Sequence, residues 1–187
     1  MQKAIVYFAE TGDVKKFRGT GQKQDPAVFI AYVFQTYYQI EYEGEPKVYG
    51  EHGKPAFVRH PELCYNISHS GSYTACAVAP FSIGLDIQKH VAVDVQRLAK
   101  RLSPEALSAV LSKPDDAAVF FDQWVLHESY LKWTGDGFSR ETKELPFADG
   151  CHASFAIEPG YSASLYAEEP FESELLNLTD RYFTIKN

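Results

Sequence analysis

No apolar run in this chain approaches the roughly 20 residues that cross a bilayer, and the apolar start at residues 4–9 is too short for the core of a secretory leader with its cleavage site. The expectation is therefore a cytoplasmic protein with no membrane partner. Cysteine is scarce: Cys64, Cys76 and Cys151 are odd in number, widely spaced and without a C-x-x-C pair, which excludes a disulfide framework and a paired-thiol zinc site and fits a reducing compartment. In that setting the triplets Asn66-Ile67-Ser68 and Asn177-Leu178-Thr179 carry no weight as glycosylation sites. Also missing are a G-x-x-x-x-G-K phosphate loop, a G-x-G-x-x-G dinucleotide turn and a G-x-S-x-G nucleophile elbow, and each absence removes an enzyme class. His127-Glu128 does not open a zinc-protease helix, because Leu131 stands where the second histidine belongs. Positive charge is in deficit, 18 basic against 25 acidic residues for a net −7, which removes nucleic acid as a main partner.

What remains is ample material for a packed core. At 187 residues, 45% hydrophobic and 14% aromatic, the chain suits one compact unit or two small lobes without covalent staples. Residues 4–9 read as a strand, and Asp25-Pro26 opens a helix carrying Phe29, Ile30, Val33, Phe34 and Tyr37. A Gly- and Pro-bearing loop over 44–61 leads to a hairpin, residues 63–68 and 73–79, turning at Ser70-Gly71-Ser72. A strand follows at 82–88, then helical spacing over 91–102 and a helix capped by Ser103 before Pro104. Asp115 or Asp116 caps a long helix that runs to about Trp133, and residues 151–157, 161–167 and 182–185 read as strands. Gly71-Ser72-Tyr73-Thr74-Ala75-Cys76-Ala77 with Pro80-Phe81 is echoed by Gly160-Tyr161-Ser162-Ala163-Ser164-Leu165-Tyr166 with Pro170-Phe171. This echo and chance similarity between small-residue strands are rival accounts.

Several residues can carry chemistry. On a strand Asp86 and Gln88 share a face, and on the long helix Glu128 and Lys132 are neighbours at i and i+4. Glu128 falls on the packed side of that helix, where an ionised carboxylate needs a cation. Lys15, Lys16, Arg18 and Lys23 form a basic cluster suited to a polyphosphate, and Gly53-Lys54-Pro55 adds a close-approach glycine and another cation. His69 between Ser68 and Ser70 can donate to a phosphate oxygen. Arg97, Lys100 and Arg101 make a second basic surface, suited to an acidic protein. Oxygen ligands beside cations are what a Mg²⁺-bound pyrophosphate requires.

In order along the chain, Gly53-Lys54-Pro55, Asn66-Ile67-Ser68-His69-Ser70-Gly71, Ile83-Gly84-Leu85-Asp86-Ile87 and the segment from Trp124 to Gly137 resemble the signature of the 4′-phosphopantetheinyl transferases of the surfactin-synthetase-activating type. The resemblance implies an α+β fold of two similar α/β lobes in a pseudo-twofold arrangement, residues 1–90 and 91–187, with the active site between them. It implies transfer of 4′-phosphopantetheine from coenzyme A to a serine of an acyl or peptidyl carrier protein, with Mg²⁺, releasing 3′,5′-ADP. By the same resemblance Asp86, Glu128 and Gln88 hold the metal, and Glu128, Lys132 and His127 are catalytic. Lys15, Lys16, Arg18, Ser68 and His69 bind the 3′-phosphate, Gly53, Lys54 and Pro55 line the adenine side, and Arg97, Lys100 and Arg101 help dock the carrier. A monomer is the simplest expectation. The sequence departs from the pattern at Gln88, where the family carries an acid, and at His127, where it carries lysine. An arginine usual in the early helix is also missing around residues 26–30. A homologue that binds coenzyme A or carrier without turnover, and a Mg²⁺-dependent phosphohydrolase, are the alternatives.

Overall fold

In a computed structural model of the chain, which describes residues 1–12, 26–113, 116–135 and 150–184, alternating side chains decide how the strands stack. β1 (Gln2–Glu10) turns Ala4, Val6 and Phe8 to one side and Tyr7 and Ala9 to the other, all buried. It is the centre of a four-stranded sheet in the order β4-β5-β1-β9, built with β4 (Cys64–Ser70), β5 (Tyr73–Ala79) and β9 (Phe171–Asn177). A second sheet, in the order β6-β8-β7, joins β6 (Gly84–Lys89), β7 (Cys151–Phe155) and β8 (Tyr161–Ala167). The inner residues of both, among them Ala75, Ala77, Leu85, Ile87, Ala163 and Leu165, form one apolar cluster between the sheets.

Each sheet carries a helix on its outer face. α1 (Pro26–Val33), started by proline at its first position, widens into a π-helical turn over Phe34–Tyr38 and ends on Gln39 in the left-handed region, φ 59°. Phe29, Ile30, Val33 and Phe34 pack there on Tyr7, Tyr65, Cys76 and Val78. α4 (Ala117–Thr134) is capped by Asp116, whose Oδ1 accepts from the Ala118 N–H at 3.1 Å, and closed by Gly135 at φ 80°. It lies against β6 and β8. Gly84 permits this: a Cβ there would stand 1.9 Å from the carbonyl oxygen of Ser129, so helix and strand backbones touch without a side chain between them. The short α2 (Val95–Ala99) and α3 (Pro104–Leu111) complete a third cluster with Phe120 and Phe121.

The two sheets repeat one wiring. A strand, a helix and an antiparallel hairpin whose second strand pairs with the first describe both β1-α1-β4-β5 and β6-α4-β7-β8. The echoed peptides fall on β5 and β8, and their counterparts meet in space: the Tyr73 and Tyr161 rings lie 5.2 Å apart, those of Phe81 and Phe171 5.8 Å. The fold is thus the mixed, pseudo-duplicated arrangement that the resemblance implies. By sheet membership β6 goes with β7 and β8, while β9 returns to pair in parallel with β1, so a cut at residue 90 parts neither sheet cleanly.

Four local expectations change. Residues 182–184 are not a strand but the end of α5 (Thr179–Thr184), whose first N–H is received by Asn177 Oδ1 at 3.0 Å, and residue 185 of the expected strand lies outside the described residues. The strand instead precedes it as β9, a half-exposed edge bearing Glu172 and Glu174 where β-formers were sought, with Glu174 held by Lys3 at 2.5 Å. Over 91–102 only Val95–Ala99 is α-helical, because Asp94 caps it by accepting from the Arg97 N–H, and Val91 and Val93 stand exposed. The loop over 44–61 contains a small hairpin of β2 (Lys47–Tyr49) and β3 (Pro55–Phe57).

Gly84→Ala is expected to push α4 off β6 and cost about 1–3 kcal/mol, the range for inserting a methyl group into a packed contact. A thermal midpoint within a degree of the unsubstituted protein would contradict this backbone contact.

Candidate active site

The open edge of β6 is held by side chains rather than by another strand. Asn66 Oδ1, Ser68 Oγ and Ser70 Oγ, at alternate positions of β4, accept from the N–H groups of Leu85, Ile87 and Lys89 at 3.0, 3.2 and 3.0 Å. The period of two along both strands places each rung opposite an outward-pointing N–H. The middle rung does more, because Ser68 Oγ donates to Asp86 Oδ1 at 2.8 Å and accepts from Lys132 Nζ at 3.0 Å. Lys132 Nζ in turn reaches Asp86 Oδ1 at 2.7 Å. Strand acid, helix cation and hydroxyl thus close a triangle at the floor of the gap between the sheets' helix and hairpin.

Glu128, one helical turn before Lys132, overlooks the same floor. Burial raises its carboxyl from an ordinary value of 4.5 to about 7, and the nearby charge of Asp86 adds to the rise, while Lys132 and Arg101 oppose it. Lys132 gives its ammonium to Asp86 rather than to Glu128, so the i, i+4 ion pair expected along the helix is replaced by a strand-to-helix pair. Among the described residues the Glu128 carboxylate has no hydrogen-bond partner. Two carboxylates meet at this floor among the described residues, with Lys132 bound to one and the charge of Arg101 acting on the other, an oxygen-rich arrangement that suits a divalent cation. Gln88 follows Asp86 on the same face of β6, paired with Ser162. No group of three or more His, Cys, Asp or Glu side chains is assembled for a metal among the described residues; the donor set is two carboxylates and an amide.

A cleft of about 230 Å³ opens above this floor, lined by His52, Gly53, Lys54 and Pro55 from one side and by Glu128, Leu131, Lys132 and Gly135 from the other. A second, larger cleft of about 430 Å³ adjoins it, with Phe57, Leu63, Cys64, Tyr65 and Trp133 on its walls. Lys54 borders both. Its Nζ donates to the Trp133 carbonyl at 2.8 Å and to Ser82 Oγ at 3.2 Å, capping the C-terminal end of α4 with a cation. Burial lowers its pKa.

Asp86, Glu128, Lys132 and Gly53-Lys54-Pro55 therefore come together, with Gln88 beside Asp86. Three other expected site residues, His127, Ser68 and His69, point in different directions. His127 is 2% exposed on the packed side of α4, and burial holds its imidazole neutral with a pKa near 4; it does not line the cleft. Ser68 is 4% exposed and turned inward onto Asp86, while its neighbour His69 points to the opposite face and is exposed. Lys15, Lys16, Arg18 and Lys23 lie outside the described residues. Arg97, Lys100 and Arg101 are exposed at and after α2, and Arg101 stands near enough for its charge to act on Glu128.

The sequence reading missed the rung pattern Asn66-x-Ser68-x-Ser70, whose period of two on an expected strand was its signal. It also missed a cluster at the far end of β6, where Ser162 Oγ donates to Asp122 Oδ1 at 2.5 Å and accepts from His90 Nε2 at 2.8 Å. That cluster ties β8, α4 and the end of β6 together.

Family membership agrees with this placement. The chain belongs to the 4′-phosphopantetheinyl transferase superfamily, whose sequence model matches residues 82–184, the part that contains β6, α4 and the second sheet. It is 27% identical over 161 residues to the 4′-phosphopantetheinyl transferase Sfp of Bacillus subtilis, covering 76% of this chain and 72% of that one. It is 31% identical over 115 residues to another Bacillus subtilis 4′-phosphopantetheinyl transferase, covering 59% and 51%. With the 4′-phosphopantetheinyl transferase HetI of Nostoc sp. it shares 35% identity over 123 residues, covering 61% and 52%. The chain thus spans about half the length of the latter two relatives.

The raised Glu128 carboxyl has a measurable consequence. An acid whose folded pKa exceeds its unfolded one contributes stability that is present below the unfolded value, near 4.5, and lost as pH climbs through about 7. Without divalent metal, the protein is expected to lose up to about 3 kcal/mol from this group between pH 4.5 and 8, and Glu128→Gln is expected to lack that loss. Urea midpoints of the two proteins that fall in parallel with pH would contradict the assignment.

Proposed function

We propose that this chain is a transferase that moves the 4′-phosphopantetheine group of coenzyme A onto a serine of an acyl or peptidyl carrier protein, releasing 3′,5′-ADP. The observation that carries the reading is the approach of Asp86 and Glu128, one from a strand and one from a helix, across a cleft rimmed by cations in a chain of this superfamily. Such a floor suits a pyrophosphate with a hard divalent ion, since Mg²⁺ takes few protein ligands and shares the rest with phosphate oxygens.

In this reading Asp86, Glu128 and Gln88 would hold Mg²⁺, which would neutralise charge on the pyrophosphate. Lys132, already at the floor, grips a pyrophosphate oxygen. Gly53, Lys54 and Pro55 form the wall on the adenine side; Lys54 serves chiefly through its stem, because its ammonium caps α4. Ser68 and His69, helped by Lys15, Lys16 and Arg18, would take the 3′-phosphate. Glu128, poised near pH 7, accepts the proton of the carrier serine as its oxygen bonds to the phosphorus that bears pantetheine. The bond from that phosphorus to the bridging oxygen breaks, and the leaving nucleotide carries the electron pair away. The protein contributes alignment and charge, which is most of what phosphoryl transfer needs. His127 is a packing residue in this scheme. The carrier docks on the surface of Arg97, Lys100 and Arg101. A reducing cytoplasm suits the three cysteines, none of which is in a disulfide.

With Mg²⁺ and coenzyme A, the purified protein is expected to add one phosphopantetheinyl mass to some member of a panel of apo carrier proteins, as read by intact-protein mass spectrometry. Glu128→Gln is expected to reduce the rate at least 100-fold with an unchanged circular dichroism spectrum, since general bases contribute roughly 10²–10⁴. Binding of coenzyme A with no transfer to any carrier would favour a homologue without turnover, the reading that Gln88 in place of an acid supports. Release of nucleotide without a carrier would instead mark a phosphohydrolase.

A further inference from the structure

We propose that this site holds a divalent ion weakly until coenzyme A is present, so that ion and substrate enter together, because Gln88 leaves the floor of the cleft without net negative charge. The proposal rests on the transferase reading above and adds to it the order in which the site fills.

The charges that matter are those of the free protein, since that is the state a lone ion would have to enter. Asp86 is 6% exposed, and Lys132 Nζ stands 2.7 Å from its Oδ1. Glu128 lies within reach of the charges of Lys132 and Arg101. Two anions therefore face two cations. Gln88, on the same face of β6 as Asp86, offers a carbonyl oxygen and no charge. The residues opposite Asp86 and Gln88 on β8, Ser164 and Ser162, are neutral and buried. The next acid along α4, Asp122, is exposed to water and engaged by Ser162. Among the described residues no group of three His, Cys, Asp or Glu side chains is assembled that could hold an ion unaided.

A hard divalent ion gives up its water reluctantly and does so for concentrated negative charge. Here that charge is balanced from within: Lys132 already answers Asp86, and Arg101 opposes the field of Glu128. A pyrophosphate changes the balance in two ways. It brings charged oxygens that complete the shell of the ion, and it offers Lys132 a second anion, which eases the hold of the ammonium on Asp86. Ion and substrate thus each improve the site for the other, and the gain is reciprocal by thermodynamic linkage. An acid in place of Gln88 would remove this dependence, because three carboxylates against two cations leave a net negative charge in the free protein. Gln88 is accordingly the residue that decides between an ion held in advance and one that arrives with substrate.

The test follows Mn²⁺ by electron paramagnetic resonance with and without saturating coenzyme A, the ion bound by coenzyme A alone being subtracted. The unsubstituted protein is expected to bind Mn²⁺ about 30-fold more tightly once coenzyme A is present, and calorimetry of coenzyme A with and without Mn²⁺ is expected to return the same factor. Gln88→Glu is expected to raise Mn²⁺ affinity in the absence of coenzyme A by about tenfold and to shrink that factor. Gln88→Met, which removes the amide at unchanged charge, is expected to leave the affinity without coenzyme A within about threefold. Arg101→Gln, at an exposed position, is expected to act in the same direction as Gln88→Glu and keeps the comparison open should a strand variant fail to fold. Equal Mn²⁺ affinity in the two states of the unsubstituted protein, no Mn²⁺ bound in either, or a folded Gln88→Glu protein that binds the ion no better would each overturn the proposal. Failure of the transferase reading shows separately, as coenzyme A and Mn²⁺ bound together with no transfer to any carrier.

Discussion

The contact on which this site depends is the lacing of one sheet's border to another's through side chains. A strand edge with unpaired N–H groups is ordinarily closed by a further strand or left to water. Here Asn66, Ser68 and Ser70 close the edge of β6 from β4, and this arrangement leaves the space above β6 free for α4 on one flank and a hairpin on the other. A strand paired there through its backbone would fill the gap that Glu128 and Lys132 overlook. The cleft exists because the seam is made of short polar side chains.

Charge placement follows from that seam. Asp86 is fixed from β4, and Lys132 is drawn down to it, so that Glu128 is left near a like charge in a half-dry setting. The protein carries this tension because α4 is held from both ends: Gly84 lets the middle of the helix settle on β6, Lys54 caps its C-terminal end, and Ser162 with Asp122 ties its early turns to β8. A helix so fixed cannot relax by moving Glu128 into water. Strain of this electrostatic kind is characteristic of sites that wait for a cation.

Much of this was legible in the sequence, and what was not has physical reasons. Asp86 on a strand and Glu128 on a long helix with an aspartate cap could be read from period and capping alone, and the echo of Gly71 to Ala77 in Gly160 to Tyr166 marked equivalent strands. The pairing of Lys132 with Asp86 was not legible because helical spacing reports neighbours on one helix and is silent on a strand passing beneath it. Ser68 and His69, adjacent in sequence, looked like one phosphate-gripping pair, yet alternation along β4 sends them to opposite faces. His127 looked available beside Glu128, although the 100° step between successive helical residues is enough to turn it into the packed interior. β9 escaped notice because an edge strand with one wet face tolerates Glu172 and Glu174, which propensity counts against a strand.

The repeated wiring has a consequence of its own. Aligning β1 with β6 through their hairpin partners, Glu10 with Tyr73 and Lys89 with Tyr161, makes Tyr7 the counterpart of Asp86 and Ile5 that of Gly84. The same place in the two halves is thus occupied once by a phenol stacked among rings beneath α1, 4.7 Å from Tyr37, and once by an acid beneath α4. One half has become ballast, plugged with aromatic bulk, and the other a workshop kept hollow. Tolerance to substitution should be lopsided in the same sense, generous to a change of ring size around Tyr7 and unforgiving of a single added carbon at Gly84.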